Sequence, residues 1–284
     1  MTTVADIKPY DRAVALGETP VACDNTLYRR PTPGDRRPIQ GRHTEFAGDQ
    51  KFRFLCHEKL ECFNRCCRDI NIFLSPYDVL RLSRKLGLST EAFLERYTVR
   101  LQPGAARFPV LIIKMRDDAD LVCPFVTGRG CSVYDERPWS CRMAPVEIRG
   151  ENRYGFAFDS DHCHGLLEDR EWTVAEWMKS QGNENYAQLE LGFDQIPQKL
   201  KFTGLPALDR HIRDMFFMAC YNLDRFRRYV FEGGFFMRAF EVPRSTAEKI
   251  RHDDIALLQF GINWLINDFE LRKSMEIRDE VFGR

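Results

Sequence analysis

Cysteine is concentrated in one part of this 284-residue chain. Eight of the ten cysteines lie within one stretch, and they are Cys56, Cys62, Cys66, Cys67, Cys123, Cys131, Cys141 and Cys163. A thiol adds little to packing that alanine or valine could not supply, whereas a thiolate binds soft and borderline metals strongly. The clustering therefore predicts disulfide bridging or metal binding, and either one requires a fold that brings these cysteines close together.

Composition favours metal binding over bridging. A chain of this length with 44% hydrophobic residues can bury a sizeable core without covalent staples. The first residues, MTTVADIKPYDR, are charged and lack the apolar run of a secretory signal, which indicates the cytoplasm or another reducing compartment. No stretch approaches about 18 consecutive apolar residues, so we expect no membrane span.

The charge balance excludes a general attraction to polyanions. Forty-two basic and forty-two acidic residues give a formal net charge of zero. We therefore expect no nucleic-acid partner, and we leave a protein partner of unknown identity open. A proline-interrupted group of arginines could contact phosphate, but a solvated arm is the favoured interpretation. Its members are Arg29, Arg30, Arg36, Arg37 and Arg42.

Local patterns predict an α+β fold around the cysteines. Ser75 and Pro76 are typical of a helix start, and a second helix is expected near Thr90. Residues 110–115, 146–150 and 153–158 read as strands. Gly128 and Gly130 allow a tight turn between the first two cysteines of the second block, and Pro138 predicts a short helix or turn just before its third.

Helical patterns dominate after Cys163. Thr173 and Glu176 form a capping-box pattern, and apolar residues recur at helical spacing over 207–231. A further helix is expected from about Ser245 to Leu271, with Gly233 and Gly234 before it. We therefore expect short helices and a small β-sheet carrying the metal site, followed by an α-helical C-terminal region. The predicted divisions are an irregular N-terminal arm at 1–50, a cysteine-cluster metal-binding domain at 51–165 and a helical region at 166–284.

Ligand spacing leaves the metal open. Zinc sites are commonly built from two paired C-x2-4-C knuckles, whereas the spacings here are C-x5-C, C-x3-CC, C-x7-C and C-x9-C, which weakens the zinc-ribbon interpretation and does not match a ferredoxin signature. Ligation by thiolates alone favours an iron–sulfur cluster, expected as 4Fe-4S, with zinc as the alternative and reduced structural thiols as a third interpretation. On a helix, Cys62 and Cys66 would share a face while Cys67 would point about 100° away. Eight thiolates suffice for two four-ligand centres, or for one centre and additional thiols.

Other candidate ligands lie beside these cysteines. His162 and His164 flank Cys163, and His57 follows Cys56, so each could ligate or could serve as an ordinary surface histidine. Cys220 lies in an apolar helical run and is expected to be a core thiol. Cys23, in the arm, is a candidate ninth ligand.

These residues resemble a cysteine-cluster family of zinc- or iron-chelating domains, abbreviated CxxCxxCC. The matching features are the C…C…CC block, the following SPYDVLRL and the later CPF…GCSVYDERPWSCRMAP, over roughly residues 50–165. The resemblance implies metal binding. A distant similarity to flagellin lysine N-methylases would imply an iron–sulfur protein with methyl transfer, although no glycine-rich S-adenosylmethionine loop is evident. Within the later motif, Arg137 and Arg142 are expected to offset thiolate charge from a second shell around the metal, or else to be surface charges.

Three functions follow as hypotheses. The first is a metalloprotein that binds iron for electron transfer, redox sensing or maturation of a partner. The second, from the resemblance alone, is a protein-lysine methylase-like enzyme. The third is a structural zinc module whose aromatic helices bind a protein partner. The aromatic residues that motivate the third are Phe216, Phe217, Phe226, Phe235 and Phe236.

Overall fold

The computed structural model describes residues 40–102, 108–117, 121–189, 192–240 and 242–267. Its contacts divide the chain into two compact units, each built from separate stretches of sequence. Within the described residues, the cysteine unit comprises 40–72 and 114–183, and the helical unit comprises 73–113 and 184–267. Cys23 and the arginines before residue 40 lie outside the described residues. The boundaries expected at 50 and 165 stay a prediction.

The regular elements are short. The strands are β1 (Glu45–Phe46), β2 (Phe52–Arg53), β3 (Thr98–Leu101), β4 (Val110–Ile113), β5 (Val126–Thr127), β6 (Gly130–Cys131), β7 (Val146–Gly150), β8 (Arg153–Phe156) and β9 (Glu171–Trp172). The helices are α1 (Pro76–Lys85), α2 (Thr90–Tyr97), α3 (Trp139–Met143), α4 (Val174–Ser180), α5 (Glu184–Leu189), α6 (Ile196–Lys199), α7 (Pro206–Cys220), α8 (Leu223–Phe231), α9 (Phe235–Ala239), α10 (Arg244–His252) and α11 (Asp254–Ile266). The α+β fold class is confirmed. No helix in the described ranges has the length and apolar character needed to cross a membrane.

The cysteine unit is organised by small antiparallel sheets and an aromatic core. Strands β1, β8 and β7 form a three-stranded sheet, while β2 pairs with β9 and β5 with β6. The core collects Phe52, Phe54, Phe156, Leu166 and Trp177. The Trp177 indole donates to the Met143 carbonyl oxygen at 3.0 Å, so α4 is fixed to the end of α3. Strands were expected over 146–150 and 153–158, and β7 and β8 confirm them.

Helix starts in both units follow the predicted caps. In α1, the Ser75 hydroxyl accepts from the Asp78 amide while the Asp78 carboxylate accepts from the Ser75 amide. The same reciprocal arrangement joins Thr173 and Glu176 at the start of α4. These caps satisfy amide groups that have no partner within the helix, which is why their sequence pattern is informative.

The two long helices expected in the helical unit are each interrupted. The run over 207–231 is α7 followed by α8, and the Asn222 side chain accepts from the Arg225 amide at 3.0 Å to begin the second helix. The run beginning at 245 divides at Asp253, whose carboxylate accepts from the Ile255 and Ala256 amides. The expectation of continuous helices was therefore wrong at both points, because a side-chain cap starts a new helix while apolar spacing continues across the break. Residues 268–271 lie outside the described residues.

Candidate metal centre

The first cysteine block is held in turns instead of the α-helix considered from its spacing. Cys62 lies in a turn, and Arg65–Cys67 forms a single 3₁₀ turn preceded by Asn64 with φ of 67°. Left-handed backbone at Asn64 cannot continue an α-helix, so the expected 100° divergence of Cys67 from its neighbour does not apply. The sulfurs of Cys66 and Cys67 lie 4.0 Å apart. Two thiolates on one tetrahedral zinc would lie about 3.8 Å apart, given Zn–S bonds of about 2.3 Å, so this pair fits a shared centre.

The second block is carried by a hairpin and a short helix. Cys131 ends the β5–β6 hairpin, where Val126 pairs with Cys131, and Gly130 has φ of 110°. Cys141 lies in α3, and this helix begins directly after Pro138. The tight turn and the short helix expected from the glycines and proline are thus confirmed. The Cys123 amide donates to the Cys67 carbonyl oxygen at 2.9 Å, which joins the second block to the first.

The last cysteine, Cys163, lies in the segment after β8 and contacts the first block. The Cys163 amide donates to the Asp159 carbonyl oxygen at 2.8 Å, and the following His164 amide donates to the Cys62 sulfur at 3.2 Å. Residues about one hundred positions apart therefore meet through backbone contacts. The fold, and not the spacing of cysteines along the chain, assembles the donors.

Cys66 is the common neighbour of the thiols. It interacts electrostatically with cysteines from every part of the unit, while Cys141 interacts with Cys123. The neighbours of Cys66 are Cys56, Cys62, Cys67, Cys123, Cys131 and Cys163. In the described ranges, however, no three Cys, His, Asp or Glu side chains are close enough to hold a metal ion as they stand. The eight thiols thus share one neighbourhood, and a bound metal would have to draw them closer.

Backbone amides are directed at several of the sulfurs. Cys123 accepts from the Phe125 amide, Cys131 from the Val133 amide and Cys163 from the Gly165 amide, each two residues further along the chain. Amide donors stabilise thiolate over thiol and tune the metal that the thiolate binds. This repeated arrangement fits thiolate ligation better than it fits buried neutral thiols.

Gly165 is a supporting residue that the sequence did not reveal. Its amide also donates to Cys62, so one residue serves thiols from both ends of the site. A Cβ at this position would lie 2.7 Å from Phe54 Cε2 and 2.8 Å from the Leu55 carbonyl oxygen. Contacts this short exclude any side chain, so a glycine is required between the core and the thiols. Its position as the last residue of the Cys163–Gly165 segment, CHG, was the only signal available.

Burial opposes ionisation of these thiols when no metal is bound. Burial raises the pKa of Cys56 to about 11 and the pKa of Cys163 to about 12. The pKa of Cys66 is raised by its hydrogen bond with Cys67 and by burial. Burial also raises the pKa of Cys123. Metal binding must therefore release protons, which makes it dependent on pH.

The two arginines expected near the thiolates have different surroundings. Arg137 interacts electrostatically with Cys131 and Cys141, and its guanidinium lies 3.9 Å from the Tyr134 ring centroid. Burial raises the pKa of Cys131, whereas the charge of Arg137 lowers it. Arg137 is thus positioned to offset thiolate charge.

Arg142 instead fixes α3, the short helix that carries Cys141. Its side chain is buried, with 5% exposure. It donates to the Arg137 carbonyl oxygen at 2.9 Å, to the Gln181 carbonyl oxygen at 2.5 Å and to the Asp135 carbonyl oxygen. The carbonyls of Asp135 and Arg137 belong to one 3₁₀ turn, and that of Gln181 lies at the end of α4. One side chain therefore ties both elements together and orients the second block.

His162 and His57 occupy different environments. His162 stacks on Phe158 with 5.1 Å between ring centroids, and its buried Nε2 has no hydrogen-bond partner among the described residues. Burial lowers the pKa of His162. His57 Nε2 lies 3.9 Å from a Glu168 carboxylate oxygen. Cys220 is fully buried in α7, as expected of a core thiol.

Together the fold and the donor set define a cysteine-rich metal-binding domain. Residues 55–164 match the CxxCxxCC family model, described as a "Putative zinc- or iron-chelating domain". This match agrees with the resemblance over residues 50–165, and it supports metal binding as the general property of this stretch. No curated protein and no solved structure matches the chain.

Proposed function

We propose that the cysteine unit binds iron as an iron–sulfur cluster and serves electron transfer, redox sensing or maturation of a partner protein. The observation that carries this proposal is the gathering of thiols from three chain segments around Cys66. Iron–sulfur clusters depend on cysteine ligands more exclusively than zinc does. When bound, such a cluster supplies one-electron chemistry.

The proposed ligands fall into two groups that meet at the adjacent cysteines. Cys163 interacts electrostatically with Cys56 and Cys62, while Cys123 interacts with Cys131 and Cys141. Cys66 and Cys67 lie where these groups meet. The eight side chains would hold one four-ligand centre with additional thiols, or two such centres, each completed by one of the adjacent pair.

Zinc is the second candidate because the separation of two sulfurs suits a zinc site. The 4.0 Å between the Cys66 and Cys67 sulfurs is close to the separation that tetrahedral zinc imposes. Amide donors to sulfur would support a zinc thiolate site in the same way. In this alternative the metal would stabilise the unit and would carry no electrons.

Metal and sulfide analysis distinguishes these candidates. Protein purified without oxygen is assayed for iron, zinc and acid-labile sulfide, and its visible absorption is recorded. We expect iron with matching sulfide and a brown chromophore. Colourless protein that contains zinc and lacks sulfide would overturn the cluster proposal and leave the structural zinc module.

A matched pair of variants tests the assigned site. Cys123→Ser removes a buried thiol of the cysteine unit, whereas Cys220→Ser removes a buried thiol of the helical unit. We expect loss of metal only in the first. Equal metal content in both variants would contradict a ligand role for Cys123.

The remaining expectations keep the status of predictions. Similarity to the flagellin methylases, cytoplasmic location and a protein partner gain no support from the comparisons. Among the aromatic residues that motivated a partner, Phe216, Phe226 and Phe236 are buried in the helical core. Phe235, with 67% exposure, is the member best placed to contact another molecule.

A further inference from the structure

An open cavity lies within the cysteine unit. Its volume is about 450 Å³, and it is lined by Arg42, Arg65, Asp159, Asp161 and His162. Arg65 precedes Cys66 in the chain and His162 precedes Cys163. Small-molecule sites commonly have volumes of about 300–1,000 Å³ and carry a few convergent polar groups. The cavity has the size and the chemistry of a binding site.

Arg42 lines the cavity and is anchored by three hydrogen bonds. Its amide donates to Asp159 Oδ1 at 2.8 Å, its Nε donates to the Ala157 carbonyl oxygen at 3.0 Å, and its own carbonyl oxygen accepts from Arg149. Within the described residues, its guanidinium forms no ion pair. A guanidinium held by backbone groups and lacking a carboxylate partner is a ready receptor for an anion.

Asp159 contributes a carboxylate of opposite sign to the same cavity. Gly41 allows it to approach the backbone, since a Cβ at Gly41 would lie 2.6 Å from Asp159 Oδ1. Asp159 also forms no ion pair among the residues that the structure describes. Because Arg42 and Asp159 are each fixed by the backbone, their charges stay available to a ligand instead of neutralising each other.

The third contribution is His162, which lines the cavity with its imidazole stacked on Phe158 at 5.1 Å between ring centroids. Arg65 adds a second guanidinium, whose Nη1 donates to the Asp161 carbonyl oxygen at 3.3 Å. The lining thus offers positive charge, negative charge and a neutral hydrogen-bonding group together.

We infer that this cavity binds a zwitterionic ligand of the amino-acid class, with its carboxylate on Arg42 and Arg65 and its ammonium on Asp159. A simple anion would use the guanidinium groups but would be repelled by the carboxylate, and a simple cation would meet the reverse arrangement. A dipolar ligand satisfies both. The inference does not rest on the identity of the metal.

L-Alanine and two probes that each lack one of its charged groups test the assignment. L-Alanine carries both charges, propionate lacks the ammonium group and ethylammonium lacks the carboxylate. Binding to the full chain is measured by ligand-observed NMR titration, with inorganic phosphate as a fourth probe. We expect alanine to bind at least about tenfold more tightly than propionate or ethylammonium. Phosphate or propionate binding as tightly as alanine would show a plain anion site and overturn the inference.

Variants identify the residues responsible. Arg42→Gln should weaken alanine and propionate together, whereas Asp159→Asn should weaken alanine about tenfold and remove its advantage over propionate. Asparagine can still accept the Arg42 amide, so this variant should keep the local fold. Arg153→Gln, at an exposed position of β8 outside the cavity, is the matched control and should leave all affinities unchanged.

Metal content separates this inference from the proposed function. Iron and zinc should be the same in Arg42→Gln, Asp159→Asn and native protein, since neither residue donates to the thiols. Unchanged alanine affinity in Asp159→Asn would refute the inference even if the cluster were present. Absence of alanine binding up to about 50 mM in native protein would also refute it.

Discussion

A single methyl group at Gly165 should disturb both the core and the thiol site. Gly165→Ala would place Cβ 2.7 Å from the Phe54 ring and 2.8 Å from the Leu55 carbonyl oxygen, and the latter cannot move without moving the backbone. The Leu55 amide donates to the Gly165 carbonyl oxygen at 3.1 Å, so the strain falls on a paired segment. Overpacking of this kind costs about 1–3 kcal/mol of unfolding free energy.

The same displacement should loosen metal binding. The Gly165 amide donates to the sulfurs of Cys62 and Cys163, and loss of contacts of this type typically lowers metal affinity about 10- to 100-fold. Unfolding free energy is measured by urea titration, and metal retention by competition with a chromogenic chelator. We expect both the unfolding free energy and the metal retention of Gly165→Ala to be lower than those of native protein.

Gly150→Ala provides a matched control in the same unit. A Cβ there would meet only the end of the flexible Arg153 side chain, at 3.0 Å, so its cost should stay within about 0.5 kcal/mol. If Gly165→Ala has the same unfolding free energy and the same metal retention as Gly150→Ala, the close packing deduced around Gly165 is wrong.

Three further predictions concern ionisation, a buried cation and a helix cap. The pKa of Cys163 is raised from its ordinary value near 9 to about 12, so the unfolded chain releases this proton at lower pH than the folded protein does. The metal-free protein should therefore lose stability as pH rises between these values. Urea titrations at several pH values should show a smaller loss of stability in Cys163→Ala than in native protein. Arg142→Met should cost about 3 kcal/mol, since it leaves buried carbonyl oxygens without their donor, and thermal unfolding of metal-free protein checks this. Asp253→Ala should cost about 1 kcal/mol by removing the cap of α11, as measured by urea titration.

Distinct outcomes would contradict each of these. Stability that is constant or rises over the alkaline range, or the same loss in Cys163→Ala, would show that this thiol does not resist ionisation. An Arg142→Met protein as stable as native protein would mean that the carbonyl oxygens find other donors. Unchanged stability in Asp253→Ala would indicate that α10 and α11 do not depend on this cap.

Local sequence determined those features whose causes lie within a few residues. Ser75 with Asp78 and Thr173 with Glu176 begin helices because each pair satisfies amide groups of its own first turn. The strands at 146–150 and 153–158 follow from their own composition and from the short connection between them. The cysteine blocks likewise predicted metal binding, because few other functions require so many thiols.

Tertiary structure decided what depends on residues distant in the chain. The Cys123 amide meets the Cys67 carbonyl, and Gly165 fits beneath Phe54, through contacts that no spacing rule contains. Apolar periodicity continued through Asn222 and Asp253, since helices on either side of a break can both bury an apolar face, so it did not reveal the interruptions. Packing of the whole unit brings the thiols into one neighbourhood. It also brings the Arg42 amide to the Asp159 carboxylate, 117 positions away in the chain.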